Sequence, residues 1–298
     1  MISLNVIMQT ITSPAEMQKV ALGWRRDGKR IGFVPTMGFL HEGHMSLVRL
    51  ARAEADIVVV SIFVNPTQFG PNEDYERYPH DLARDRELCR QNGVDVIFHP
   101  SAGDMYSSGP GVFVAENDLS GRLCGAFRPG HFRGVLTVVA KLFNLVLPDA
   151  AVFGQKDAQQ AILVRNMVRD LNFPVKTIII APIVREADGL AMSSRNSYLG
   201  PDERKRARCL SAALKTARGL YRAGESGCDA LKKAMRRVIE GGKPEAIDYI
   251  EIVAERDLKP IDKLAGNCLI ALAVRIGRTR LIDNLPLPDD RLGNLPEE

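Results

Sequence analysis

The sequence predicts an α/β protein, with a doubly wound parallel sheet followed by a smaller C-terminal α+β domain. Three observations carry this expectation. Short apolar runs alternate with helical patterns from residue 31 to residue 182. One run, "DIVVVSIFV" (56–64), is apolar almost throughout and rich in β-branched residues, as a strand buried on both faces should be. Beyond about residue 185 the alternation stops, and charged helical segments precede β-like runs.

In order, "IGFVP" (31–35) reads as a strand and 43–55 as a helix. The strand 56–64 follows, then a helical pattern over 74–92 and the strand "VDVIFHP" (94–100). "GVLTVVAKLFNLVLPD" (134–149) repeats its apolar residues at helical spacing and stops at Pro148. A strand over 150–154, a helix over 157–171 and a last strand over 175–182 complete the first domain. Strands separated by helices of this length require right-handed crossovers and a parallel sheet, which is a Rossmann-like arrangement. The second domain holds helical segments over 201–223 and 226–241 and β-like runs over 246–254 and 267–283, the latter expected to pair antiparallel. The partition expected is therefore 1–184 and 185–298, with residues 284–298 as a loose, Pro-punctuated tail.

The bulk composition narrows the class. The 298 residues, 45% of them hydrophobic, can bury a substantial core. Lys and Arg total 40 against 36 Asp and Glu, a net charge of +4, which suits anionic small molecules but lacks the basic stripe of a nucleic-acid binder. The basic runs at 202–208 and 232–237 fall on amphipathic helices as solvated faces. Five scattered cysteines without a CxxC pair disfavour a disulfide framework and a cysteine zinc site. The N-terminal stretch has no signal-peptide pattern, and no apolar run approaches a membrane span, so a cytoplasmic enzyme is expected.

Four polar clusters follow strand ends, where an open parallel sheet binds ligands, and a fifth precedes a helix. In "TMGFLHEGH", His41 and His44 flank the start of a helix, whose first N–H groups attract anions. Two imidazoles there can donate to phosphoryl oxygens that gain charge in a transition state. Their i,i+3 spacing across Gly43 does not fit the HExxH zinc pattern, and either could equally be a cap or core histidine. "FVNPTQFGPNEDYERYPHD" (63–81) offers the neutral amides of Asn65 and Gln68, and its 70–79 stretch could serve as part of a lid. "FRPGHFRGV" (127–135) places Arg128 and His131 around a Pro-Gly turn, for which a simple turn is an adequate explanation. "VFGQKDAQQA" (152–161) supplies Lys156, Asp157, Gln159 and Gln160 at another helix start. "DGLAMSSRN" (188–196) packs two hydroxyls, a guanidinium and an amide into consecutive positions suited to phosphate oxygens. Neither a Walker loop nor GxGxxG is present. The common theme is nucleoside triphosphate chemistry on another template.

The segments "PTMGFLHEGHMSLV", "FVNPTQFGPNEDYERYP", "RPGHFRGV", "FGQKDAQQ" and "DGLAMSSRNSYL", in this order, resemble the signatures of the pantoate–β-alanine ligase family. The wider likeness is to nucleotidyltransferases with HIGH and KMSKS signatures, "HEGH" standing for the first and "MSSRN" for a departed form of the second. The resemblance implies ATP- and Mg²⁺-dependent joining of pantoate to β-alanine through a pantoyl adenylate, releasing pyrophosphate and AMP, in a homodimer. It implies catalytic roles for His44 (the proton donor), His41, Lys156 and Arg195. It implies ATP contacts by Met37, Gly38, Phe39, Leu40, His41, Glu42, Gly43, His44, Gly154, Gln155, Lys156, Asp157, Val184, Met192, Ser193, Ser194 and Arg195. Gln68 and Gln160 match pantoate-binding positions, and Gln68 also the β-alanine position. Asp85 stands where the family often has an acidic residue near the metal and phosphates. Rivals remain: another nucleotidyl-transferring enzyme with a different acceptor, or a nucleotide-sensing or RNA-binding module, distinguished by the absence of turnover or by steep salt dependence.

Overall fold

The computed structural model describes residues 8–71, 73–106 and 111–288. In chain order it comprises β1 (Gln9–Ile11), α1 (Pro14–Arg26), β2 (Ile31–Thr36), α2 (Glu42–Glu54), β3 (Ile57–Ile62), α3 (Leu82–Gln91), β4 (Val96–Phe98), α4 (Ala102–Met105), α5 (Cys124–Phe127), α6 (His131–Val146), β5 (Ala150–Gly154), α7 (Ala158–Asp170), β6 (Thr177–Ala181), α8 (Pro201–Ala207), α9 (Cys209–Arg222), α10 (Cys228–Gly241), β7 (Ala246–Ala254), β8 (Cys268–Ile276) and β9 (Thr279–Leu287). Two compact units emerge. The first takes the chain up to Glu116, Arg128–Gly154 and Gln160–Ala181; the second takes Asn117–Phe127, Gln155–Gln159 and the chain from Pro182 on.

The first unit is a six-stranded sheet in the order β1-β4-β3-β2-β5-β6, every pairing parallel. Its central strands are apolar almost throughout because both faces are covered: Val58, Val59, Val60 and Ser61 of β3 are all buried. Val34, Val48, Val60, Ile97 and Val152 share one core on one side of the sheet. Gly32 in β2 is required there, because a Cβ would lie 2.9 Å from the Ala51 carbonyl oxygen of α2. The strand order reverses between β2 and β5, so the ligand crevice of such a sheet opens beyond their carboxyl ends.

The second unit pairs β7, β8 and β9 antiparallel, with Leu210, Leu214, Leu231, Met235 and Ile239 packed against Ile252, Ile270 and Leu272. Its two outlying pieces are held by side-chain amides. Gln159 accepts from the Cys124 N–H and donates to the Leu119 and Arg122 carbonyls. Asn284 donates to the carbonyls of Gln155 and Lys156, while Gln155 donates back to Asn284 Oδ1 at 2.9 Å.

Several expected boundaries change. The helical pattern of 74–92 yields helix only from Leu82, since Tyr78 precedes a proline and Asp81 caps the Arg84 N–H. Helix α6 begins at His131, three residues before the expected 134, behind Gly130 at φ 83°, and ends where Leu147 turns left-handed. The segment 201–223 breaks at Arg208 into α8 and α9. The run 267–283 is two strands joined at Gly277, whose φ of 57° suits a two-residue hairpin loop. The loose tail was placed too early: Asn284 to Leu287 belong to β9, because the buried Asn284 anchors 155–156; residues 289–298 lie outside the described residues. β1 and α1 were not anticipated, although Ser13 accepts from the Glu16 N–H with Pro14 in the first turn, a readable helix start.

Candidate active site

The loop after β2 is tightly determined. Thr36 donates to the Ser61 carbonyl at 2.7 Å and accepts from the Gly38 N–H, while Gly38 (φ 85°) and Phe39 (φ 51°) both take left-handed backbone. Such a turn aims two successive N–H groups at one spot, and Asp85 of α3 occupies it. Its Oδ2 accepts from Phe39 N–H at 2.8 Å and its Oδ1 from Leu40 N–H at 2.7 Å. Asp85 is 1% exposed. Burial pushes its carboxyl above the usual carboxylate range, with the Leu40 and Phe39 N–H groups pulling the other way. Each oxygen accepts one N–H of the loop, so Asp85 ties α3 to the turn after β2. Among the described residues no group of three or more His, Cys, Asp or Glu is placed to hold a metal ion.

His41 is the N-cap residue of α2 and His44 lies in its first turn, as the glycine between them suggested. The rings stack 4.0 Å apart at 37°. The His41 N–H donates to His44 Nδ1 at 3.2 Å, so the neutral His44 ring carries its proton on Nε2. That proton, beside the positive end of a helix, is placed as a donor to an anion. Glu42 turns outward to Arg49.

Gln68 closes a 3-10 turn (Pro66–Gln68) after β3 and is nearly buried. Asn65, 1% exposed, donates to Gln68 Oε1 and to the Gly134 carbonyl, both at 3.1 Å; its Oδ1 accepts from Thr67 and from the Tyr106 hydroxyl at 2.9 Å. Asn65 is thus fully used in orienting Gln68 rather than in reading a substrate. With Oε1 occupied, Gln68 presents Nε2, here 3.0 Å from Met37 Sδ, a weak acceptor that a carboxylate or hydroxyl would outcompete. Gln160 sits in the first turn of α7, past β5. The 70–79 segment forms turns in which Glu73 pairs with Arg128; Asn72 lies outside the described residues.

In the second unit, Gln155 and Gln159 are structural ties, leaving Lys156, 3.7 Å from Asp157, as the cation of that turn. Val184 to Met192 form a narrow hairpin, closed by Met192 N–H to the Val184 carbonyl and by Gly189 at φ 88°. Arg185 forks onto Asp283 at 2.7 and 3.0 Å with side-chain exposures of 6% and 1%. Arg204 grips Glu186 and Asp188, and Glu186 accepts from Asn196 at 2.6 Å. Ser193 caps the following 3-10 turn (Ser194–Tyr198), accepting from the Arg195 N–H. The Ser-Ser-Arg segment therefore rides on a braced base; the amide of Asn196 belongs to that base. The cysteines are buried and free, and burial pushes the Cys89 thiol up to about 12 and those of Cys209 and Cys228 to about 11, which makes them poor nucleophiles.

A doubly wound parallel sheet with paired imidazoles at a helix start beyond its reversal point defines an α/β enzyme of nucleotide chemistry. The pantoate-beta-alanine ligase family model matches residues 9–286, so the chain belongs to that family. It is 56% identical over 277 residues to the pantothenate synthetase of Thermotoga neapolitana, covering 93% of this chain and 99% of the relative. Among solved structures, pantothenate synthetase from Thermus thermophilus is 46% identical with a TM-score of 0.88 over 93% of this chain and 99% of that one. The pantoate-beta-alanine ligase of Francisella tularensis, solved with beta-gamma ATP and beta-alanine, is 34% identical with a TM-score of 0.76 over 93% and 97%.

Proposed function

We propose that this chain condenses pantoate with β-alanine to pantothenate at the expense of ATP, through a pantoyl adenylate. The observation that carries the reading is the His41–His44 pair capping α2, in a chain whose match to the ligase family is nearly end to end. In the first step a pantoate carboxylate oxygen bonds to the α-phosphorus as the bond to pyrophosphate breaks. In the second, the β-alanine amine attacks the acyl carbon and AMP leaves, the amine losing its proton.

Charge is the obstacle, because a carboxylate must approach a polyanion. His44 Nε2–H and His41 serve the phosphoryl oxygens, His44 as proton donor. Lys156 and Arg195 neutralise the triphosphate with the hydroxyls of Ser193 and Ser194. Met37 to His44, Gly154 to Asp157, Val184 and Met192 supply the remaining ATP contacts, Glu42 and Gln155 through their backbone. Gln68 and Gln160 orient pantoate, and Gln68 also meets β-alanine; neutral amides do so without trapping the nucleophile in an ion pair. Mg²⁺ would enter as the ATP complex and offset the phosphate charge as pyrophosphate leaves. A cytoplasmic homodimer completes the reading; among the described residues no helix is long and apolar enough to cross a membrane.

The test is to supply ATP, Mg²⁺ and pantoate and to quantify pyrophosphate and AMP with and without β-alanine. A pantoate-dependent pyrophosphate burst, with AMP turnover only when β-alanine is present, is expected. ATP left intact in the presence of pantoate rejects the assignment.

A further inference from the structure

Arg128 and His131 find no use in the chemistry above, yet they converge on one of its residues. His131 Nδ1 lies 2.8 Å from the backbone carbonyl oxygen of Gln68. A carbonyl only accepts, so Nδ1 carries the proton. In the neutral ring Nε2 is then an acceptor, and Arg128 donates to it at 3.0 Å. Arg128 in turn forks onto Glu73, with Nε 2.7 Å from Oε1, and its second terminal nitrogen reaches the same Gln68 carbonyl at 3.5 Å. The direction of donation is consistent along the whole chain: guanidinium to imidazole to carbonyl.

The Gln68 carbonyl needs this help. It ends a 3-10 turn, where carbonyls lack a partner from the turn itself. The start of α6 supplies one, and it comes extraordinarily close. A Cβ on Gly134 would lie 2.2 Å from the Thr67 carbonyl oxygen and 2.6 Å from the Gln68 Cα. Gln68 is thereby held at three points: its carbonyl by His131, its Cα against Gly134, and its Oε1 by Asn65. Only Nε2 is left to act on something that arrives.

We propose that Arg128 and His131 are positioning residues for substrate recognition, acting on pantoate solely through Gln68. Arg128 fixes the acceptor state of His131 Nε2, His131 fixes the Gln68 backbone, and Gln68 Nε2 meets the substrate. The inference rests on the reading of Gln68 as a pantoate-binding residue.

The experiment measures kcat and the KM values for pantoate and ATP in the wild type, His131→Ala, His131→Asn, His131→Gln, Gln68→Ala and the Gln68→Ala/His131→Ala double variant. The Asn amide nitrogen can stand where Nδ1 stands, while that of Gln reaches the Nε2 position. Expected is a rise in pantoate KM of about tenfold in His131→Ala, with ATP KM unchanged. His131→Asn recovers most of the loss and His131→Gln does not; this pair carries the comparison if the alanine variant fails to fold. In the double variant His131→Ala adds nothing to Gln68→Ala, as expected when one residue works through the other. Additive losses, or an equal rise in ATP KM, overturn the proposal. A weakened Gln68→Ala beside unaffected His131 variants overturns it alone. An unchanged pantoate KM in Gln68→Ala overturns the assignment of Gln68 and the proposal with it.

Discussion

His44 and Asp85 show two different ways in which one side chain governs the loop after β2. His44 holds the His41 N–H through Nδ1, and in the proposed mechanism its Nε2–H donates to the phosphoryl oxygens. His44→Ala should therefore lower pantoate-dependent pyrophosphate release by about 10²- to 10³-fold, the usual cost of one oriented donor, with a small drop in melting temperature because it also removes the Nδ1 acceptor from the His41 N–H. Asp85 works from beneath, since its two oxygens set the directions of the Phe39 and Leu40 N–H groups. Asp85→Asn puts an amide NH₂ against one of those donors and leaves a buried N–H unpaired. A loss of about 1–3 kcal/mol in urea unfolding is expected, with a raised ATP KM. The placement of the histidines was legible in the sequence, because Gly43 between them marks a helix start just past a strand. The role of Asp85 was not, because a lone aspartate in a charged helix carries no mark of the backbone it will meet 45 residues away.

At the scale of elements, legibility followed periodicity. β5 came out at its expected 150–154, and β7 at 246–254. Errors fell where local chemistry overrode the pattern, as at Tyr78-Pro79 and at the Gly277 turn. Two contacts between elements carry sharp expectations. Gly134→Ala drives a methyl into the Thr67 carbonyl, so the turn at 66–68 must move off α6; overpacking of this kind costs about 1–3 kcal/mol, and pantoate KM should rise with it. A calorimetric scan beside steady-state kinetics checks both. Arg185→Leu strands Asp283 in the interior, where loss of one partner of a buried pair costs about 3–5 kcal/mol. Chemical unfolding should show that loss, and Arg185→Leu/Asp283→Leu should recover part of it.

Acid stability is a property of the whole molecule. Burial alone would raise Glu73, but the hydrogen bonds and charge of Arg128 outweigh it and hold the carboxyl below 4.5. Asp149 behaves alike: burial opposes, while Lys176 and the Ile31 N–H bring it below 3.8 at the junction of β2 with β5. Both folded-state pKa values lie under the unfolded ones, so both contributions are complete above about pH 5 and vanish as pH falls through the folded values. Unfolding free energy measured downward from pH 6 should fall faster in the wild type than in Glu73→Gln/Asp149→Asn; parallel curves would show that these carboxylates are not responsible. By itself the sequence determined the α/β class and the family and named the polar groups proposed for ATP and pantoate, because periodicity and motif spacing are local properties of a chain. Which of those groups are spent on structure was decided only by the tertiary fold. Asn65, Gln155, Gln159 and Asn196 are tied to partners up to 129 residues distant, and Arg128 and His131 acquire purpose from a carbonyl at Gln68. A hydrogen bond between distant residues has no periodicity to read; it exists only once the chain has closed around it.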